Sequence, residues 1–265
     1  MAILRGMPAF TGSIGGLSAY KLRGVDRIIL REKGGPTRQQ LKQGKQFLNT
    51  RLRNEEWKGV SKAVSLLGQA LHGVRHLYDH SYSGRLSGVC HSIKEEDTRQ
   101  PLGRRSLLFS AGGYKLEGFG LNTYHPFDTV LKYPLQYSIN AAEGTATVEY
   151  ADIIPAIHLS NPMKQPYCRL VFVLATVPDI VYDAGRKEYR PVQEPGNGRC
   201  LVQTPWQVSK AVIPGQQWQL ALADWQRLPG LSLLLAAGVE YGQPQHNGPV
   251  QFTKYAGAAK VLKMG

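Results

Sequence analysis

Short apolar runs separated by turn residues fill the chain from about residue 105 to its end, and this pattern restricts the fold more than any other feature. The runs include TATVEYADI, RLVFVLATV, WQLALA and LSLLLAAGVEY. Asn161-Pro162, Pro195-Gly196 and Pro229-Gly230 lie between runs, where proline, glycine and asparagine favour turns. Their length and spacing predict the strands of an antiparallel β-sandwich.

Helical periodicity precedes these strands, over residues 37–80. Thr37 followed by Gln40 fits a capping box, in which the two side chains satisfy backbone N–H groups of the first turn. A repeat of apolar residues at intervals of three and four then indicates one buried helix face: Val60, Val64, Leu67, Leu71, Val74 and Leu77. We expect two helices here, or one long kinked helix.

Two further local predictions concern the ends of this region. Asn54 with Glu55 and Glu56 predicts a second helix start, with the acids at the positive end of the helix dipole. The segment from Tyr82 to residue 104 is polar, contains glycines and lacks periodicity, so we expect a long connection.

Positive charge is concentrated at the start of the chain. Residues 1–53 contain eleven Lys and Arg and two acids, a net charge of +9 out of +13 for the whole chain. Two strand-like runs, LSAYKL and DRIILRE, flank Arg23-Gly24, which predicts a basic β-hairpin or extended arm. A concentrated positive segment attracts polyanions.

Together these patterns predict an α+β protein in three parts. Residues 1–36 form a basic, glycine-rich arm or hairpin, and residues 37–104 form a helical region with a polar connection. Residues 105–265 form an antiparallel β-sandwich of the immunoglobulin or fibronectin-III type.

The charge distribution favours a non-enzymatic binding protein that contacts a nucleic-acid backbone with little sequence preference. Glycines let the backbone of the arm approach its partner, and cations contact phosphates. The expected contact residues are Lys21, Arg23, Arg27, Arg31, Lys33, Arg38, Lys42 and Lys45.

A self-assembling structural subunit is the alternative, as in a filament, a sheath or a phage-like particle. The N-terminal arm would then dock on a neighbouring copy, where its charge would meet an acidic loop such as KEEDTRQ. The expected partners are therefore nucleic acid or other copies of the chain.

Nucleotide and metal sites are less favoured. Gly12, Gly15 and Gly16 fit neither GxGxxG nor GxxxxGK[ST]. His72, His76 and His80 are spaced by four residues, so they would share one helix face, and Cys90 with His91 would complete four metal ligands. The Glu of HExxH is missing, however, and a solvated helix face is the commoner explanation for three histidines at this spacing. We expect neither metal nor cofactor.

Enzymatic motifs are also missing. Tyr124, His125 and Asp128 lie close together, but no GxSxG nucleophile turn occurs. Three tryptophans in the strand-rich half, Trp206, Trp218 and Trp225, could stack on bases. Alternation in WQLAL instead places Trp218 on the same face as Leu220, which favours the core.

The remaining composition predicts a cytoplasmic protein without a membrane partner. No window approaches eighteen consecutive apolar residues, and Gly6 and Pro8 interrupt the N-terminal apolar run. The three cysteines, Cys90, Cys168 and Cys200, are far apart in sequence, which favours buried reduced thiols.

The first fifty residues resemble an uncharacterised family of Bacteroidetes proteins. The resemblance rests on spaced glycines, a strand ending in tyrosine, a second strand with G…R and a PxTxxQ helix start, represented here by Gly12, Gly15, Tyr20, Gly24, Arg31, Pro36, Thr37 and Gln40. It implies the architecture described above, with a fibronectin-III-like C-terminal half, and no particular chemistry.

Overall fold

Residues 2–4, 10–22, 27–193, 198–245 and 248–265 are described by the computed structural model. The chain divides into two compact units, residues 1–51 and 52–265. The described residues include helices and several antiparallel sheets, so the fold is α+β, as the sequence predicts.

A four-stranded antiparallel sheet begins the first unit. Its strands are β1 (Ala2–Leu4), β2 (Gly12–Ile14), β3 (Leu17–Lys21) and β4 (Ile28–Glu32), in the order β1-β4-β3-β2. The pairing of β3 with β4 confirms the expected hairpin. Gly15 has φ +56° in the two-residue turn between β2 and β3, a backbone conformation that favours glycine.

The helix start at Thr37 is confirmed. The Thr37 hydroxyl accepts from the Gln40 N–H at 3.2 Å, and the Gln40 side chain accepts from the Thr37 N–H at 2.8 Å. This capping box opens α1 (Arg38–Gln43), which a short 3₁₀ turn (Lys45–Phe47) separates from α2 (Leu48–Ala70). Arg51 donates to the carbonyl oxygens of Leu41 and Gly44, at 2.9 and 2.8 Å, and so satisfies acceptors at the end of α1.

The second unit contains α2 from residue 52 onward, shorter helices and the remaining strands. The helices are α3 (His72–Arg75), α4 (Tyr82–Glu95), α5 (Phe109–Gly112), α6 (Phe127–Val130) and α7 (Pro155–His158). The strands are β5 (Gln136–Asn140), β6 (Thr145–Tyr150), β7 (Tyr167–Pro178), β8 (Ile180–Asp183), β9 (Glu188–Pro191), β10 (Arg199–Gln203), β11 (Gln207–Val208), β12 (Gln216–Ala221), β13 (Leu231–Pro244), β14 (Val250–Phe252) and β15 (Ala258–Met264).

A six-stranded antiparallel sheet forms the centre of this unit. It has the order β10-β7-β13-β14, with β11 also paired to β7 and β15 to β13. Strands β7 and β13 pair along twelve residues and are buried on both faces. Two-sided burial explains why their sequences are almost continuously apolar and do not alternate with polar residues.

Each face of the central sheet is covered by a different layer. The helices pack on one face, where Leu67, Leu71 and Leu86 meet Val171 and Val173. On the other face, a three-stranded sheet in the order β12-β6-β5 packs through a second core that includes Val148, Leu220 and Phe172. Strands β8 and β9 form a separate hairpin.

Two local predictions are wrong. The expected connection after Tyr82 contains the fourteen-residue helix α4, because Tyr82, Leu86, Cys90 and Ile93 form a buried helical stripe that its glycines and serines mask in the sequence. The expected cap at Asn54 lies inside α2 instead, since the 3₁₀ turn already starts the helix at Leu48.

No helix within the described ranges combines the length and the apolar character needed to cross a membrane.

Candidate nucleic-acid interface

Seven of the eight predicted contact residues lie in the described part of the chain, and Arg23 lies outside it. All seven are exposed: Lys21, Arg27, Arg31, Lys33, Arg38, Lys42 and Lys45. Each belongs to the unit formed by residues 1–51. This unit has ten Lys and Arg and two acids, a net charge of +8.

The sheet of this unit presents its cations on both faces. Ser18 pairs with Arg31, and Tyr20 pairs with Ile29, so Arg31 and Tyr20 lie diagonally on one face. The Arg31 guanidinium lies 5.4 Å from the centre of the Tyr20 ring, a cation–π contact that leaves its N–H groups available. Lys21 is next to Tyr20 in β3 and therefore points to the opposite face.

The helical cations form a second group. Arg38 and Lys42 are one turn apart on α1, so they share a face of that helix. Lys45 begins the 3₁₀ turn that follows. Lys33 lies between the groups, and its Nζ donates to the carbonyl oxygen of Gly15 at 3.3 Å.

These cations have few acidic neighbours. Among the described residues, no carboxylate forms an ion pair with Arg27, Arg31, Arg38, Lys42 or Lys45. Exposed cations that no carboxylate neutralises keep their positive potential for an external anion.

The described side chains of the N-terminal unit are mostly exposed. Among its described residues, only Ala19 and Ile29 are buried, and α1 buries none of its side chains. Large apolar residues stay exposed, including Ile14 at 61% and Leu17 at 43%. The side chains whose burial the structure describes thus contribute little core to this unit.

The side chains of the three spaced histidines have different neighbours and do not form a joint site. His72 is exposed on α3, which ends at Arg75. His76 Nε2 lies 2.8 Å from Glu240, and His80 Nδ1 lies 3.3 Å from the Tyr124 hydroxyl. Within the described ranges, no group of three His, Cys, Asp or Glu is arranged to hold a metal ion. Helix α3 is too short to keep the three imidazoles on one face.

The Tyr124, His125 and Asp128 cluster is also divided by the fold. The Tyr124 hydroxyl lies within hydrogen-bonding distance of His80 Nδ1. Asp128 lies in α6, and its carboxylate forms an ion pair with Lys260 Nζ at 2.5 Å. The three residues therefore do not act on one shared atom.

The tryptophans of the second unit support its core. Trp218 and Trp225 pack against the second core, and their indole N–H groups donate to the Tyr150 hydroxyl at 3.2 Å and the Ala141 carbonyl at 3.0 Å. Trp206 is partly buried under the guanidinium of Arg169, at 4.4 Å. The core interpretation of Trp218 is thus confirmed.

The sequence does not predict the ion pairs of the buried carboxylates Glu56 and Glu240. Glu56, on α2, receives hydrogen bonds from Lys94 on α4 and from Arg105. Glu240, on β13, contacts the Arg169 guanidinium of β7 at 2.5 Å. Residues 240 and 169 are directly opposed in the β7–β13 register. Only that register identifies the pair, because the two residues are far apart in sequence.

The thiols of the described chain are free. Burial raises the pKa of Cys90 to about 12 and that of Cys168 to about 11. Both are therefore protonated at neutral pH, where a thiol is a poor nucleophile.

In comparisons with known proteins, no protein-family model, no curated protein and no solved structure matches this chain.

Proposed function

We propose that the chain is a non-enzymatic protein that binds the backbone of a nucleic acid through residues 1–51. The observation that carries the proposal is a set of five exposed cations that form no ion pair with a carboxylate among the described residues: Arg27, Arg31, Arg38, Lys42 and Lys45. Phosphate contacts of this kind supply affinity without reading bases, so we expect binding with little sequence preference.

Salt dependence is the primary test. If about six phosphates are neutralised, log K for duplex DNA falls with log salt at a slope of about −5. Fluorescence anisotropy with a labelled duplex, measured from low to high salt, gives this slope. A salt-insensitive interaction, or none at low salt, would contradict the proposal.

A charge-matched pair of variants locates the interface. Arg38→Gln/Lys42→Gln/Lys45→Gln removes three cations from the first unit and should reduce the magnitude of the slope by about 3. The control removes three exposed cations from the second unit: Arg186, Arg227 and Lys263, each replaced by Gln. Both variants lose the same net charge, so equal slopes would show that overall charge, and not this surface, drives binding.

Self-assembly is the second candidate, and the exposed edge of the N-terminal sheet favours it. Strand β2 is an edge strand whose three residues are all exposed, and an open edge accepts a strand from another chain. Size-exclusion chromatography with light scattering would show a high-mass species that persists in salt.

Ile14→Lys should dissolve such an assembly, because lysine on an edge strand opposes strand addition. Ile157→Lys is the matched control, since Ile14 and Ile157 are 61% and 62% exposed. A monomer at all salt concentrations would exclude the assembly. If the ratio of absorbance at 260 nm to that at 280 nm is higher across the protein peak at low salt than at high salt, nucleic acid is bound at low salt.

Several finer assignments stay predictions. The face-to-face packing of two antiparallel sheets supports an immunoglobulin or fibronectin-III sandwich for the C-terminal part. The motif from Gly12 to Gln40 supports membership of the uncharacterised Bacteroidetes family, and a cytoplasmic location would agree with a nucleic-acid partner.

A further inference from the structure

A cleft in the second unit lies between two walls of the chain. Helix α7 and the loop after it form one wall, and β11 with the residues after it forms the other. The cleft has a volume of about 840 Å³, and Pro155, Leu159, Pro166 and Val208 supply much of its apolar lining. Small-molecule sites typically have volumes of about 300–1,000 Å³ and a mainly apolar lining.

Backbone hydrogen bonds hold the two walls together. Ile153 and Ile213 exchange N–H to carbonyl bonds at 2.9 and 3.0 Å, and the Ser209 N–H donates to the Pro166 carbonyl at 2.8 Å. The cleft is therefore preformed, which reduces the entropy that a ligand would lose on binding.

The polar lining has one sign of charge. Lys164 and Lys210 lie in opposite walls, and both are exposed. Within the described chain, neither forms an ion pair with a carboxylate, and no described lining residue is acidic. The cleft thus attracts an anion.

The amide side chains of the lining are already engaged. Asn161 donates to the Gln165 carbonyl at 2.7 Å and accepts from the Gln165 N–H at 2.9 Å. The Gln165 side chain accepts from the Thr253 hydroxyl at 2.7 Å. The two lysines and the buried Ser209 hydroxyl are therefore the polar side chains of the lining with hydrogen-bonding capacity left for a ligand.

Apolar surface stays uncovered beside these lysines. Val208 is 51% exposed in the cleft wall, and burying it against an apolar chain would remove it from water. An occupant that matches both features has an apolar chain and an anionic head.

We propose that this cleft binds a free amphipathic carboxylate, such as a medium-chain fatty acid. The chain lies against Pro155, Leu159 and Val208, and the carboxylate lies between Lys164 and Lys210. This inference uses residues of the second unit alone and does not depend on nucleic-acid binding.

Calorimetric titration of the full chain with dodecanoate, below its micelle concentration, tests the proposal. Dodecanoate should bind at least about tenfold more tightly than octanoate, because each buried CH₂ adds affinity. Dodecyltrimethylammonium, which has the same chain and the opposite charge, should bind more weakly than dodecanoate.

Variants identify the site. Lys164→Gln/Lys210→Gln should weaken dodecanoate binding about three- to tenfold, as expected for exposed ion pairs. Lys187→Gln/Lys263→Gln is the control, and it should leave the affinity unchanged. Lys187 is a close match for Lys164, since both are exposed with a positive φ, of 56° and 51°. Ala156→Phe, which fills the cleft, should abolish binding.

Three results would overturn the proposal. The first is no heat of binding with dodecanoate, including the case in which the protein binds only phosphatidylglycerol vesicles. The second is equal affinity of the two lysine double variants. The third is unchanged binding by the Ala156→Phe variant.

Discussion

Removing the buried carboxylate of Glu56 tests how the helical layer is held together. Its carboxylate is 1% exposed and lies 2.7 Å from Lys94 Nζ and 2.7 Å from Arg105 Nε, and the Gly103 N–H donates to it at 2.9 Å. Lys94 is almost equally buried. The network ties α2 to α4 and to the segment that leads into α5.

Glu56→Gln should destabilise the protein by about 3–5 kcal/mol at pH 7, because it leaves the buried Lys94 ammonium without its counter-charge. The shift in the pKa of Glu56 gives an independent value for the stability that its charge contributes. Burial raises that pKa, but hydrogen bonds from Arg105 and Lys94 outweigh burial and lower it from 4.5 to about 2. A shift of this size corresponds to about 3 kcal/mol of stability.

The stability contributed by the Glu56 carboxylate decreases as pH falls. Because the folded pKa is lowered, the stabilisation is complete above pH 4.5 and is lost as pH falls toward 2. The difference in unfolding free energy between wild type and Glu56→Gln should therefore be about 2 kcal/mol smaller at pH 3 than at pH 7. Urea unfolding followed by tryptophan fluorescence measures both values.

The neighbouring Glu55 provides the control. It pairs with Lys58 at 2.7 Å on the solvent side of the same helix, with both side chains at least 40% exposed, so Glu55→Gln should cost at most about 0.5 kcal/mol. Glu56→Gln/Lys94→Met removes both buried charges and should recover part of the lost stability. A Glu56→Gln variant within 1 kcal/mol of wild type, or no recovery in the double variant, would refute the reasoning.

Two further predictions concern the second unit, both measured by urea unfolding. Gly144→Ala should lower the free energy of unfolding by about 2 kcal/mol more than Gly118→Ala. Both glycines have positive φ, but a Cβ at position 144 would lie 2.1 Å from Trp225, whereas a Cβ at position 118 would have no atom within 4 Å. Equal losses would contradict that steric account. At pH 7, Asp79→Asn should lower the free energy of unfolding by about 2–3 kcal/mol, and Asp179→Asn by less than about 1 kcal/mol. Burial raises the pKa of both carboxyl groups. Hydrogen bonds from Thr123 and Ser81 outweigh burial and lower the pKa of Asp79, whereas the pKa of Asp179 stays raised. As pH falls below the ordinary value of 3.8, the stability contributed by Asp79 is lost. The unfavourable contribution of Asp179 instead declines as pH falls toward 3.8, because its folded pKa lies above that value. Equal costs for the two variants at pH 7 would contradict this assignment.

Local signals in the sequence were sufficient for several elements. The Thr37 and Gln40 capping box depends on residues three apart, and both of its hydrogen bonds form. The β3–β4 hairpin and the strand character of the C-terminal part follow from local apolar runs as well. Each of these features is decided by neighbouring residues.

Other features depended on distant contacts. Helix α4 was missed because its buried stripe is interrupted by glycine and serine, and packing against the helical core overrides their weak propensity. Glu56 looked like a cap acid because its partners, Lys94 and Arg105, are 38 and 49 residues away.

By itself, the sequence determined the class of fold, the concentration of charge in the first fifty residues and the start of the first helix, because these are properties of composition and of short-range pattern. Only the tertiary structure decided which face of the central sheet the helices cover, that Glu240 meets Arg169, and that Lys164 and Lys210 line one cleft. Strand register and loop packing bring together residues that are far apart in the chain, and no local pattern encodes those distances.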